Sequence, residues 1–232
     1  NGITLDRVSA TNVHARVSAT DDPSTLGAQD VVVVSVKGYA LANAVDGIKT
    51  LLGPDTPIIF AQNGIVWWYF YGLDPKGKER QIEALDPGRR LWNEIGPERA
   101  LGGVVYSANG LVAPGHVRNT SPGRNWLCIG EPDGSMSERV KSIQAVFGKA
   151  DMGPIAEDIR YVLWDKLMSN MATGPISCLT GSTVAELQAD PRLHRLATII
   201  MGEAMAIASA LGTPIDIDPV ERFKKTKGGS HK

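Results

Sequence analysis

The chain has 232 residues, 43% of them hydrophobic, which is enough to bury a core in one large or two modest domains. Its 24 basic and 25 acidic residues give a formal net charge of −1, and no apolar run approaches the ~18 residues of a membrane span, so neither nucleic acid nor a membrane is expected as the main partner. The two cysteines, Cys128 and Cys178, are too few for a disulfide framework and lack metal-ligand spacing, which predicts a cytoplasmic protein without a metal site.

The first half of the chain alternates between strand and helix patterns. The β-branched run at residues 31–37 is typical of a strand buried on both faces, and residues 40–52 follow with apolar side chains at helical spacing. Further buried strands are predicted over residues 57–61 and 100–107. Strand, helix and strand with short joints predict a βαβ unit and therefore a parallel sheet.

Two segments depart from that alternation. Residues 65–98 hold an aromatic cluster at 67–71 and a charged stretch rich in glycine and proline. They predict a long insertion over the edge of the sheet, which is either a surface loop held down by its aromatics or a substrate lid or dimer contact. Residues 116–119 and 126–129, separated by a Pro-Gly turn, predict a β-hairpin.

Only helical patterns follow Gly153-Pro154. Asp190 provides a cap for the longest predicted helix, which has proline at its first position. We therefore predict an α/β domain over residues 1–153 and an all-α domain over 154–232, and we expect the protein to extend beyond both ends of this chain. The predicted helices cover residues 157–173, 183–189 and 191–211.

The first of these helices places two polar residues among apolar ones. Lys166 and Asn170 are four residues apart and therefore stack on one side of the helix. A lysine directed at a core must be paired, solvated in a cleft or neutralised. Lys166 is thus either a snorkelling or ion-paired structural lysine, or a functional one whose pKa desolvation lowers from about 10.4. The apolar arc that contains both residues consists of Ile159, Val162, Leu163 and Leu167.

The predicted parallel strands end in polar or small residues. Because ligands bind beyond the carboxyl ends of such strands, we expect Lys37, Asn63-Gly64 and Ser107-Ala108 to converge on one crevice. Lys37 suits a phosphate or ribose, and Asn63 a carboxamide or substrate carboxylate. The alternatives are that Lys37 is an ordinary loop lysine and that Asn63-Gly64 is an ordinary Asn-Gly turn, both of which are common. No Gly-x-Gly-x-x-Gly follows a strand, so either no dinucleotide binds or the first βα unit lies upstream.

Four motifs, in this order and spacing, resemble those of the ketopantoate reductases (2-dehydropantoate 2-reductases), and the resemblance spans nearly the whole chain. The most specific is Leu-Trp-x-Lys-Leu-x-x-Asn at residues 163–170. The resemblance implies an α/β fold: a Rossmann-like doubly wound parallel sheet with its first βα unit missing, followed by an all-α domain of the 6-phosphogluconate dehydrogenase C-terminal type. The other motifs are Ser-Val-Lys at 35–37, Gln-Asn-Gly at 62–64 and Gly-Pro-Ile-Ser-Cys-Leu-Thr at 174–180.

The resemblance also implies an enzyme, an NADP-dependent oxidoreductase that reduces ketopantoate to pantoate in pantothenate biosynthesis. Lys166 matches the general acid that protonates the nascent alkoxide, and Asn170 matches a substrate ligand. Lys37, Asn63 and Ala108 match cofactor-contacting positions, with Asn63 also facing substrate. A small-molecule keto acid is the implied partner, and a homodimer is left open.

Two positions depart from the family pattern. The family usually has asparagine where this chain has Gly174, and a polar ligand is common near Val184. The glycine-rich loop and the basic residue that select between NADPH and NADH would precede Asn1. Two alternatives therefore stand beside ketopantoate reduction: a paralogous NAD(P)H-dependent reductase of another keto acid, and a noncatalytic binding or scaffolding protein on the same fold.

Overall fold

The computed structural model describes residues 2–8, 10–73, 80–121, 125–150 and 152–226. The chain falls into two compact units. Unit 1 comprises Asn1–Gln62 and Val66–Ile159, and unit 2 comprises Asn63–Ile65 and Arg160–Lys232. The domain boundary expected after residue 153 stays a prediction, because compactness in the folded state does not show which residues fold independently.

The described residues form eight strands and six α-helices. The strands are β1 (Ile3–Arg7), β2 (Val13–Ala15), β3 (Val32–Val34), β4 (Ile58–Ala61), β5 (Ala100–Tyr106), β6 (Asn109–Ala113), β7 (His116–Asn119) and β8 (Trp126–Gly130). The helices are α1 (Leu41–Lys49), α2 (Glu138–Gly148), α3 (Ile159–Thr180), α4 (Val184–Ala189), α5 (Pro191–Ala210) and α6 (Pro219–Lys224).

The core sheet of unit 1 has the strand order β3-β4-β5-β8. β3, β4 and β5 are parallel, and β8 runs antiparallel to β5. β4 and β5 are apolar and mostly buried, as expected of strands covered on both faces. α1 connects β3 to β4 and buries Leu41, Val45 and Ile48, which lie on one helical face. The predicted βαβ unit is confirmed.

α2, which the sequence patterns did not single out, packs on the core sheet. Its Val140 and Ile143 are buried together with Ile59, Leu101 and Ile129 of three neighbouring strands. Burying a side chain of this size stabilises the fold by roughly 1.5–3 kcal/mol. Ser137 begins the helix, because its hydroxyl oxygen accepts a hydrogen bond from the Val140 N–H at 3.2 Å.

Two glycines form a notch in the core sheet. Gly102 and Gly130 face each other across β5 and β8. A Cβ on Gly102 would lie 2.5 Å from a side-chain carbon of Ile159 and 2.9 Å from one of Trp68, and a Cβ on Gly130 would lie 3.0 Å from the Cβ of Ile159. Ile159 packs against strand backbone in this glycine notch because neither position carries a side chain.

The second sheet of unit 1 is small, with the order β2-β1-β7-β6. The predicted hairpin of residues 116–119 and 126–129 is therefore wrong: β7 pairs with β1 and β6, whereas β8 pairs with β5. β8 is apolar and almost entirely buried, while β7 is largely half-buried and polar, so the two strands suit different sheets. The hairpin that forms is β6–β7, closed by Pro114 and Gly115, whose φ is +74°.

The aromatic cluster of residues 67–71 begins in the core of unit 1. Trp67, Trp68 and Tyr69 are each at most 2% exposed. The ring of Trp67 meets that of Phe60 edge to face at 5.3 Å and that of Trp92 at 6.3 Å. Residues 67–69 are thus core residues, which agrees with a segment held down by its aromatics, and a role of the segment as lid or dimer contact stays a prediction. Residues 74–79 of the charged stretch lie outside the described residues.

Unit 2 is helical, as predicted. α4 begins with a capping box in which Thr183 and Glu186 satisfy each other's backbone N–H groups. α5 begins at Asp190, as expected from the cap and proline pattern. α3 continues to Thr180, beyond the predicted end at residue 173. Within the described chain, no helix is both long enough and apolar enough to span a membrane.

Candidate active site

Helix α3 presents a different face to the core from the one expected. Lys166 is half-buried, but Asn170 is exposed, so the expectation that both lie inside an apolar face is wrong for Asn170. Val162 and Leu167 are only partly buried, while the larger Trp164 and the flexible Met168 are buried and set the inward face. The buried residues of α3 are Ile159, Arg160, Leu163, Trp164, Met168, Ser169, Ala172 and Ile176.

Three residues at four-residue intervals form an accessible line on α3, which we call the Lys166 row. It consists of Lys166, Asn170 and Gly174. Gly174 is exposed, and a Cβ built on it would meet no atom within 4 Å. The row therefore offers an ammonium group, a carboxamide and bare backbone along one side of a single helix.

Proline inside α3 alters the backbone beside this row. Pro175 has no N–H, so the carbonyl of Met171, four residues earlier, lacks its helical donor. On the neighbouring turns, the hydroxyl groups of Thr173 and Thr180 donate to the carbonyls of Ser169 and Ile176, each at 2.8 Å. The helix remains continuous through Pro175, with a backbone acceptor next to the Lys166 row.

Arg222 of α6 anchors α3 next to Lys166. Its guanidinium donates to both carboxylate oxygens of Asp165, at 2.6 and 3.0 Å, and to the Asp165 carbonyl at 3.1 Å. Both side chains are largely shielded from solvent, with 18% and 24% exposed. A bidentate pair of this kind fixes orientation as well as charge. Sequence reasoning missed Arg222, since no motif links positions 57 residues apart.

Asn63 belongs to the same compact unit as α3, while the strand that precedes it belongs to unit 1. Asn63 is exposed, and the next residue, Gly64, has a φ of +97° with no atom within 4 Å of a built Cβ. Only glycine adopts this conformation without strain. Asn63, Lys166 and Asn170 are thus all in unit 2, whereas Lys37 and Ala108 are in unit 1.

The carboxyl ends of the parallel strands hold the unit 1 candidates. Lys37 follows β3, is exposed, and precedes a single turn in which its carbonyl accepts from the Ala40 N–H at 2.8 Å. Gln62 follows β4, and its side-chain amide donates to the Val36 carbonyl at 2.8 Å. Gln62, to which the sequence motif assigned no role of its own, therefore ties the loop after β4 to the residue before Lys37.

Ala108 lies after β5 in a loop held by polar side chains. Its N–H donates to the hydroxyl oxygen of Ser121 at 2.8 Å, and its carbonyl accepts from the Thr120 N–H at 2.9 Å. The buried Asn119 amide donates to the Asn125 side-chain oxygen at 2.6 Å. Because both the N–H and the carbonyl of Ala108 are already engaged within this loop, a ligand would meet Ala108 through its methyl group.

A cavity of about 460 Å³ opens at the opposite, amino-terminal edge of the core sheet, where Arg99 precedes β5. It is lined in part by Lys49 and Glu94, whose side chains are 2.8 Å apart. Hydrogen bonds from Arg90 and then Lys49 lower the pKa of Glu94 from 4.5 to about 2. These charges pair with each other and join α1 to the turn at Leu91–Ile95, which makes the network structural.

The described residues contain no set of metal ligands, because no three His, Cys, Asp or Glu side chains lie close enough together to hold an ion. An open sheet with parallel strands ending in a lysine and amides, together with a helical unit that presents a lysine, defines the class of two-domain dehydrogenases and reductases.

Family comparisons identify the member of this class. Residues 1–133 match the family model described as ketopantoate reductase PanE/ApbA, and residues 158–228 match its C-terminal counterpart. The chain belongs to the ketopantoate reductase family, a family of NAD(P)-dependent oxidoreductases. The family, the fold class and the reductase class predicted from the motifs are confirmed.

Relatives match over most of this chain. A 2-dehydropantoate 2-reductase of Mesorhizobium japonicum is 41% identical over 220 residues, covering 94% of this chain and 67% of that protein. A crystal structure from Ralstonia solanacearum MolK2, assigned to the ketopantoate reductases, has 37% identity and a TM-score of 0.87, covering 96% of this chain and 68% of its own. A 2-dehydropantoate 2-reductase of Geobacter metallireducens has a TM-score of 0.79 at 22% identity, with coverage of 97% and 68%, and shows the fold alone. The chain spans about two thirds of the length of these relatives.

Proposed function

We propose that this chain forms most of an NADPH-dependent reductase that converts 2-dehydropantoate to pantoate in pantothenate biosynthesis. The observation that carries the proposal is the Lys166 row, an accessible lysine and amide within the most specific family motif. Membership in the ketopantoate reductase family and the relative at 41% identity support the substrate. Two free thiols fit a reducing compartment, so we place the enzyme in the cytoplasm.

Lys166 is assigned the proton transfer. Reduction of a keto group builds negative charge on its oxygen, and an ammonium group within hydrogen-bond reach stabilises that charge and then donates a proton. The half-buried position of Lys166 on α3 suits this role, since the group is accessible to a small molecule yet partly shielded from water. Asp165 beside it is engaged by Arg222, which fixes the helix that carries the lysine.

Asn170 and Asn63 are assigned to substrate binding. A carboxamide donates to a carboxylate or hydroxyl oxygen and accepts from a hydroxyl, the groups that a hydroxylated keto acid presents. Asn170 lies one turn from Lys166 on the same side of α3, so it reaches a different group of the same small molecule. Asn63 shares their compact unit.

The carboxyl edge of the core sheet fits a nicotinamide dinucleotide, which when bound supplies the hydride. Lys37 presents an exposed ammonium group to phosphate or ribose. Asn63 is assigned to both cofactor and substrate, and Gly64 leaves the space of a missing Cβ open beside it. Ala108 contributes its methyl group, since its N–H is bonded to Ser121 and its carbonyl accepts from Thr120 and Asn119.

Gly174 supports a second candidate, a paralogous reductase of another keto acid. The position where relatives usually carry asparagine has neither a side chain nor an atom within 4 Å of a built Cβ. A larger keto acid fits the space that the amide would occupy. The two candidates share Lys166 and differ in the substrate that the end of the Lys166 row accepts.

The test is NADPH oxidation by the full-length protein with ketopantoate and with a panel of other 2-keto acids. Turnover highest with ketopantoate supports the proposal, and turnover only with other keto acids supports the paralogue. A folded protein that binds NADPH but reduces no keto acid is a noncatalytic protein on this fold. Repeating the assay with NADH measures cofactor preference.

Lys166→Ala should lower kcat by roughly 10²–10⁴-fold, the usual contribution of a positioned general acid. The Kd for NADPH, measured by fluorescence titration, should change less than about two-fold, because Lys166 is assigned to the proton and not to the cofactor. Lys141→Ala, an exposed lysine on α2, is the matched control and should retain full turnover. Normal turnover with weakened NADPH binding in Lys166→Ala would contradict the role.

A further inference from the structure

Arg222 holds the peptide group that joins Asp165 to Lys166. Its Nε donates to one carboxylate oxygen of Asp165 at 2.6 Å, and its Nη2 donates to the other at 3.0 Å. The same Nη2 donates to the Asp165 carbonyl at 3.1 Å. The carbon of that carbonyl is bonded to the Lys166 nitrogen, and the peptide group is planar and stiff. The guanidinium therefore fixes both a side chain and the backbone directly beside the lysine.

A second contact lies one helical turn further along α3. The hydroxyl oxygen of Thr226, just past the end of α6, accepts from Nη1 of Arg222 at 3.3 Å. It lies 3.5 Å from the hydroxyl oxygen of Ser169, which is buried and directly precedes Asn170. The end of α6 thus contacts α3 twice, at the residue before the proposed proton donor and at the residue before the proposed substrate ligand. All of these residues belong to unit 2.

α6 has only six residues, but other parts of unit 2 hold it in place. Phe223 is fully buried, and its ring meets that of His194 at 5.2 Å. The side-chain amide of Gln188, near the end of α4, donates to the carbonyls of Phe223 at 2.7 Å and Thr226 at 2.9 Å. These carbonyls lie at the end of α6, where the helix itself supplies no donor. Gln188 therefore supports the segment from which Arg222 reaches α3.

The motif that contains Lys166 does not specify this contact. Asp165 occupies the position that Leu-Trp-x-Lys-Leu-x-x-Asn leaves open, and Arg222 lies outside all four motifs. The pair nevertheless differs from an ordinary surface ion pair, because only 18% and 24% of the two side chains are exposed. A shielded fork that binds a carboxylate with two hydrogen bonds fixes direction as well as distance.

We infer that Arg222 is a positioning residue for Lys166, supported from α4 by Gln188; the inference rests on the proposed function. Proton transfer requires the donor to lie within about 2.6–3.2 Å of the acceptor. Displacing a reacting group by about 1 Å costs up to about 100-fold in rate. Because three hydrogen bonds of Arg222 converge on Asp165, its loss acts on the proton-transfer step more than on substrate binding.

Steady-state kinetics of the full-length protein test the inference, with NADPH and the keto acid that the parent reduces fastest. Arg222→Ala should lower kcat per folded molecule at least about ten-fold and change KM less than about three-fold. The solvent deuterium isotope effect on kcat should rise, because proton transfer becomes the slow step. Gln188→Ala should lower kcat in the same way but less. Arg192→Ala, which breaks an arginine–aspartate pair on α5, is the matched control and should turn over like the parent.

Arg222→Lys distinguishes positioning from charge, since lysine keeps the charge but not the fork. It should fold, as measured by circular dichroism, and recover only part of the lost kcat; if Arg222→Ala does not fold, this variant decides alone. A parent that reduces no keto acid overturns the proposed function and this inference together. An active parent whose kcat and isotope effect are unchanged in Arg222→Ala or Arg222→Lys overturns this inference alone, as does a loss confined to KM or to the folded fraction.

Discussion

At the scale of single residues, the proposed substrate specificity depends on the absence of a side chain at Gly174. The Lys166 row offers an ammonium group and one amide, followed by bare backbone one turn later. A glycine inside a helix costs stability relative to other residues, roughly 0.5–1 kcal/mol compared with alanine. Gly174 thus leaves open space at an exposed position of α3, and the proposed function assigns that space to the substrate.

Gly174→Asn should raise kcat/KM for ketopantoate by about ten-fold, because a hydrogen bond to a charged group contributes roughly 1.5–3 kcal/mol. The open space around Gly174 accommodates the amide without displacing another residue. Gly202→Asn, at a glycine of α5 that also has no atom near a built Cβ, is the control. It should gain helix stability without any change in kcat/KM. An unchanged kcat/KM in Gly174→Asn would mean that this position does not contact ketopantoate.

Candidate site residues could be proposed from the sequence where a local motif existed, but contacts between distant partners could not. Lys166 and Asn170 were recognisable because four-residue spacing places them on one side of a helix. The burial of Asn170 was predicted wrongly, since small differences among apolar side chains decide which face turns inward. Arg222 and Gln62 were missed because their contacts, with Asp165 and the Val36 carbonyl, join segments that no spacing rule connects.

At the scale of elements, the start of α5 was predictable, whereas the end of α3 was not. The α5 cap is a local device: Asp190 accepts from the N–H groups of Arg192 and Leu193 at 2.8 and 3.4 Å. Strand pairing was less predictable. β8 follows β7 in the chain, but burial of its apolar residues sends it to a different sheet, and the residues around the β7–β8 connection do not reveal that choice.

The Asp190 cap should make the stability of α5 depend on pH. The Arg192 side chain and then its backbone N–H lower the pKa of Asp190 from 3.8 to about 2. A carboxyl group with a depressed pKa contributes stability that is fully present above its unfolded value and is lost as pH falls through the folded one. The stabilisation should therefore disappear between about pH 4 and pH 2.

Thermal unfolding of Asp190→Asn measures this contribution, because asparagine keeps a capping oxygen but has no charge. The variant should melt below the parent at pH 7, and the difference should shrink towards zero as the pH approaches 2. A difference in Tm that persists at pH 2 would show that the loss comes from cap geometry and not from charge.

At the scale of the whole molecule, one buried ion pair connects several parts of unit 1. The Glu131 side chain is 5% exposed just after β8, and Arg139 of α2 donates to its two oxygens at 2.7 and 2.6 Å. Arg139 also donates at 2.8 Å to the carbonyl of Glu98, which lies in the turn that leads into β5. The pKa of Arg139 is raised by its hydrogen bonds to Glu131.

Arg139→Ala should lower the free energy of unfolding by about 3 kcal/mol, since removing the cation leaves a buried carboxylate with only the Ser137 hydroxyl donating to it. Lys141→Ala, which breaks the exposed pair with Glu138 on the same helix, should cost less than about 1 kcal/mol. Denaturant unfolding compares the two. Equal losses in both variants would refute the importance of burial, and adding Glu131→Gln to Arg139→Ala should recover part of the loss.

The architecture was predictable from alternating patterns only where strands are long and apolar. The core sheet follows from its β-branched runs, and its class is predictable from the sequence. The small sheet was not expected as a sheet of its own. Its strands are short and half-exposed, and β1 pairs with β7, which lies more than a hundred residues later. Neither the periodicity of apolar residues nor the composition of a strand specifies a pairing partner so far along the chain.

The glycine notch affects how conservation in this family is interpreted. Gly102 and Gly130 touch no proposed ligand, yet any side chain at either position would overlap Ile159 or its neighbours. These two glycines are constrained by volume, whereas Lys166 is assigned by its chemistry. When an alignment of this family is used to assign function, positions that are constrained by space should therefore be set aside first. The remaining positions can then be considered for catalysis.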